Sequence, residues 1–107
     1  MALSEREQAF ENKFKHDEQL KFRISSRRAK LFGLWVAEQM GLSGQDADEY
    51  AREVVTADMD EPGSDDMIRK VTADLERKNV EISAHRLQSK VDELLERATR
   101  EIMQDQG

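Results

Sequence analysis

Two histidines, His16 and His85, are the only imidazoles in the chain, and there is no cysteine. Neither histidine has a second imidazole three or four positions away, where one helical face could hold a metal between them. His16-Asp17-Glu18 places a carboxylate pair beside a ring, but adjacent residues on a helix point in different directions. No metal site is therefore expected. Ser25-Ser26 lacks the glycine elbow and the base that a nucleophile needs. Carboxylates are abundant, but most fall on the outer faces of amphipathic segments, where nothing shifts their protonation toward acid–base work. No GxxxxGK[ST] or GxGxxG loop is present to cradle a phosphate chain. The chain is expected to be non-enzymatic and to require no cofactor.

Charge is the feature that does suggest partners. Residues 1–30 carry eight bases against five acids, a net of +3, while the remainder carries nine against eighteen, a net of −9; the whole chain stands at −6. Between Glu18 and Glu38 there are five bases and no acid: Lys21, Arg23, Arg27, Arg28 and Lys30. Helical spacing brings Arg23, Arg27 and Lys30 to one face, the layout of a nucleic-acid surface. Only Phe22 interleaves with them, and the acidic remainder repels a phosphate backbone, so nucleic acid is not the expected partner. Arg27, Arg28 and Lys30 are better placed to contact a phosphate-bearing small ligand. The plainer alternative is that these bases pair with the acidic body as solvated ion pairs.

The elements that position these residues are helices. The chain has 107 residues, 37% apolar and 37% charged, with five Gly and one Pro, enough for one domain with a modest core. No apolar run approaches the roughly 20 residues of a membrane span, and the opening residues have no apolar signal core, so a cytoplasmic location is expected. A first helix runs from about Ser4, where Ser4-Glu5-Arg6-Glu7 has the form of a capping box, to Met40 before Gly41. Leu20, Ile24, Leu31 and Trp35 form its expected stripe, widened by Phe32, Leu34, Val36 and Ala37. Ser43 is the expected cap of a second helix with Ala47, Tyr50, Ala51, Val54 and Val55 inward, ended by Pro62-Gly63. Ser64 caps a third with Ile68, Val71 and Leu75 inward, stopped near Asn79. Ser83 starts a fourth, where Leu87, Val91, Leu94, Ala98 and Ile102 give the cleanest amphipathic pattern. Trp35 and Tyr50 are expected in the core, and Met40, Met59, Met67 and Met103 as packing residues near helix ends. Short connections make neighbours antiparallel, giving an all-α four-helix bundle over residues 19–107.

Residues 1–18 differ. Phe10 and Phe14 lie one turn apart, with Glu7 and Leu3 continuing their face, and upstream of Leu20 too few apolar residues remain to anchor the helix. Such a segment is either a frayed terminus, the commoner case for a chain end, or a recognition helix for a partner groove; in either case residues 1–18 are expected to be mobile in the free protein.

The run Arg6-Glu7-Gln8-Ala9-Phe10-Glu11-Asn12-Lys13-Phe14-Lys15-His16-Asp17-Glu18 resembles the N-terminal signature of the alphaproteobacterial ATP synthase zeta subunit family, R-E-x-A-F-E-x-K-F-x-H-D-E. Arg27-Arg28-Ala29-Lys30-Leu31-Phe32-Gly33-Leu34-Trp35 is similar to its next block, R-R-x-K-L-x-G-L-W. Met40-Gly41-Leu42, Tyr50-Ala51 with Glu53-Val54-Val55, and Lys90 to Leu94 match further blocks, so the similarity covers nearly the whole chain. Lys15 departs from it, standing where the family often has a small residue.

The resemblance implies a four-helix bundle that regulates the F-type ATP synthase by inhibiting ATP hydrolysis. It implies an N-terminal arm that enters a catalytic alpha/beta interface beside the central stalk. On that reading Ser4, Arg6, Glu7, Phe10, Lys13, Phe14 and Asp17 contact the headpiece, formed by alpha, beta and central-stalk subunits. The family is also associated with ADP or ATP binding on the bundle, for which Arg27, Arg28 and Lys30 are the candidates on electrostatic grounds. The free protein is expected to be a monomer that acts at the inner-membrane face without inserting into the bilayer. The alternative is a small helical nucleotide- or nucleic-acid-binding module using residues 21–30.

Overall fold

A computed structural model describes residues 2–59 and 63–106, with side chains over 18–59 and 63–104. Its elements are four helices, α1 (Ala2–Gln39), α2 (Gly44–Asp58), α3 (Asp65–Arg77) and α4 (Ala84–Gln106). The fold is all-α among the described residues, with Val80–Ser83 an irregular connector.

Helix ends follow local chemistry. Gly41 takes φ +80°, and its N–H donates to Glu38 O while Leu42 N–H donates to Ala37 O at 2.9 Å. Together these form the paired bonds of a left-handed C-cap. Asn79, φ 58°, closes α3 the same way, with Asn79 N–H on Glu76 O and Val80 N–H on Leu75 O. Of the four serines expected as N-caps, Ser4 falls inside α1, which starts at Ala2, and only Ser83 is seen to work through its side chain, accepting from Arg86 N–H at 3.0 Å. Ser43 and Ser64 occupy the cap positions of α2 and α3 without a side-chain bond.

Contacts along the bundle show an up-down-up-down arrangement. Asp58 meets Ser25, Ala51 meets Gly33, Tyr50 meets Asp74, and Arg27 meets Glu101. The closest approach is at Gly33, where a Cβ would stand 2.7 Å from the Ala51 Cα and 3.1 Å from the Val54 Cβ. Only a glycine lets the two backbones come this near.

That approach corrects the expected stripe of α1. Ala29, Phe32, Val36 and Ala37 are fully buried, whereas Leu20, Ile24, Leu31 and Trp35 are half-buried along the flank. Small residues at 29, 33 and 37 allow α2 to sit against the line between the larger side chains, which pushes those outward. Tyr50, Ala51 and Val54 of α2 and Val71 and Leu75 of α3 are buried as expected, and so are all five stripe residues of α4. Ala47, Val55 and Ile68 pack at the edge of this core. Met67 is fully buried and Met40 packs against the core, but Met59 and Met103 are 61% and 51% exposed. Both exposed methionines lie at the end of the bundle where α2 and α4 finish, beyond the last covering helix turn.

Candidate functional site

The residues of interest lie on α1, which is continuous from Ala2 to Gln39. At about 1.5 Å per residue it is about 57 Å long. Its longest partner, α4, has 23 residues, or about 35 Å. The arm side chains of Ser4, Arg6, Glu7, Phe10, Lys13, Phe14 and Asp17 lie outside the described residues. From Glu18 onward the helix passes through the basic stretch and then into the core.

Arg27, Arg28 and Lys30 are not brought together. Arg27 reaches toward α4, 3.9 Å from Glu101 and partly exposed. Arg28 turns toward the end of α2, where its guanidinium lies 3.7 Å from Asp58 and its side chain is 12% exposed. Lys30 faces solvent at an open groove shared with Asp48, Arg52 and Thr56. Successive positions on a helix are rotated by about 100°, so the three bases face three different surroundings. Lys21 and Arg23 are exposed.

Asp58 is the residue that spacing could not reveal. Ser25 Oγ donates to its Oδ2 at 3.0 Å across 33 positions of sequence. Burial holds its carboxyl above the usual value of 3.8, while the Ser25 hydrogen bond and the Arg28 charge pull the other way. Asp58 Oδ1 and Arg28 Nε remain without a hydrogen-bond partner. This is a desolvated pair at imperfect distance, which clamps α1 to α2 but contributes little net stability.

A second buried carboxylate, Asp74, is better served. Tyr50 Oη donates to it at 2.8 Å and Lys70 Nζ at 3.1 Å, and Arg77 pairs with its other oxygen. Burial, reinforced by the Glu53 charge, pushes the Tyr50 hydroxyl up to about 12. Nearby, Trp35 is half-buried, with Arg86 and Lys90 at 5.6 and 5.4 Å from its ring centre. These cation–π contacts account for a basic residue in the first turn of α4, where the helix dipole disfavours it. Among the described residues, no group of three or more His, Asp or Glu could hold a metal, and no helix is long and apolar enough to cross a membrane.

The family model for ATPase inhibitor subunit zeta matches residues 1–101. The chain belongs to the ATPase inhibitor subunit zeta family. A solved relative, determined in solution by NMR, is 41% identical to this zeta-family chain. The likeness covers 80% of this chain and 98% of that one, with a TM-score of 0.71. No curated relative matches the sequence. Membership supports a role as an inhibitor that works on ATP synthase.

Proposed function

We propose that the protein restrains ATP hydrolysis by the F-type ATP synthase by lodging the first part of α1, residues 4–17, in a catalytic alpha/beta interface beside the central stalk. One observation carries the reading. The family match includes these residues, and α1 runs unbroken from Ala2 while α2 ends at Asp58 against Ser25, so α1 continues well past the end of the helix packed on it. Phe10 and Phe14 then act as anchors, with Ser4, Arg6, Glu7, Lys13 and Asp17 supplying polar contacts around them. A helix wedged between subunits opposes the opening and closing on which rotary hydrolysis depends. Residues 1–18 are the mobile arm and 19–107 the scaffold. The free protein is a cytoplasmic monomer that meets the enzyme at the inner-membrane face. A regulatory ADP or ATP on the bundle belongs to the same proposal, with Arg27 and Lys30 the candidate bases still open to solvent.

The test is ATP hydrolysis by isolated headpiece titrated with the full chain. Phe10→Ala combined with Phe14→Ala is expected to abolish inhibition, because each buried ring contributes about 1–3 kcal/mol at an interface. The melting curve should stay within about 0.5 kcal/mol of the parent. Full inhibition by the double variant, or its loss on changing Arg27 and Arg28 to Ala instead, would move the working surface from the arm to the basic face.

A further inference from the structure

Along α1 the buried line Val36, Phe32, Ala29 continues at steps of three and four through Ser25 to Phe22. It continues past the end of its cover. Asp58, the last residue of α2, is bonded to Ser25, so nothing in α2 extends to the turn that holds Phe22, which is 56% exposed. Met59 follows Asp58 at 61% exposed, and Met103 stands two residues beyond Glu101, the partner of Arg27, at 51%. Three of the four large apolar side chains exposed among the described residues therefore stand at this one end of the bundle. Exposed Lys21 and Arg23 flank Phe22, in a stretch without acids.

We infer that Phe22 and Met59 form a second docking surface that seats the bundle on the rim of the same enzyme cleft that receives the arm. The inference rests on the arm reading above. Phe22 follows Phe14 by eight residues in one unbroken helix, about 12 Å, so seating the arm carries this end of the bundle to the mouth of the cleft. Ser25, Arg28 and Asp58 fix α2 to α1 within two turns of Phe22, so Met59 travels with it. The rim that fits is an apolar spot bordered by carboxylates, complementary to Lys21 and Arg23.

Binding of the full chain to immobilised headpiece, measured beside hydrolysis, tests this. Phe22→Ala with Met59→Ala should weaken binding about tenfold, as expected for one modest interface anchor, while saturating protein still inhibits fully because the arm is intact. Unchanged affinity overturns the docking surface and leaves the arm reading standing. Full inhibition by the Phe10/Phe14 variant overturns the arm reading, and with it the ground for placing this surface at the cleft mouth. Sedimentation of the free chain covers the other occupant: a dimer that the Phe22/Met59 variant dissolves overturns the assignment to the enzyme.

Discussion

At the end of the bundle where α1 turns into α2, polar and apolar groups are closed off together. Leu42 and Val80 fold back onto the core through their left-handed caps. Asp74 is held by Tyr50, Lys70 and Arg77, and Trp35 lies beneath Arg86 and Lys90. At the opposite end, where α1 continues toward its N-terminus, Asp58 keeps an unpartnered oxygen and Arg28 an unpartnered nitrogen, while Phe22, Met59 and Met103 face solvent. The first end is finished within the chain. The second presents apolar surface and incomplete polar pairing where α1 continues toward its N-terminus. Burial adds stability only when both sides of a contact are present, so an uncovered end contributes less to folding than a closed one.

The sharpest way to break the comparison uses two phenylalanines on one line of α1. Phe32→Ala should cost about 3–5 kcal/mol in chemical denaturation, as for any fully buried ring, whereas Phe22→Ala should stay within about 0.5 kcal/mol. A Phe22 cost of several kcal/mol would mean that the arm end is closed after all.

Next in size is the closed end's response to alkali. The Tyr50 pKa is raised from 10.0 to about 12, so the folded state favours the neutral phenol. Its contribution is fully present below pH 10 and is lost as pH rises toward 12, about 1–2 kcal/mol once solvent screening is included. Tyr50→Phe should remove that alkaline step, read as the difference between variant and parent melts across this range.

The smallest effect belongs to Asp58. Because burial raises its pKa above 3.8, ionising it opposes folding; that penalty is present above the raised value and is relieved as pH falls through it toward 3.8. Asp58→Asn should change stability by no more than about 1 kcal/mol at pH 7, since a buried pair of imperfect geometry is close to break-even. Any stability advantage of the variant should shrink on acidification. An advantage that grows toward pH 4 would show that Arg28 satisfies this carboxylate as fully as Asp74 is satisfied.

Helix number, order and stops were legible in the sequence because they depend on local chemistry. Gly41 and Asn79 tolerate positive φ, and the stripe of α4 repeats at helical spacing with one neighbour-facing side; the expected Pro62 stop of α2 lies outside the described residues. The continuous first helix and its shortage of apolar residues before Leu20 were visible for the same reason, as was the resemblance carried by residues 6–18 and 27–35. Tertiary structure decided the rest. Periodicity marks a helix face but not which line on it is central. That line was set by the contact of Gly33 with Ala51, which buried Phe32 and left Trp35 on the flank. Arg28 reads as a free base until folding brings Asp58, 30 positions away, against it, and no local signal records such a pairing. The exposure of Phe22 likewise depends on where α2 stops relative to α1, a matter of how two helices register, which no single segment of sequence specifies.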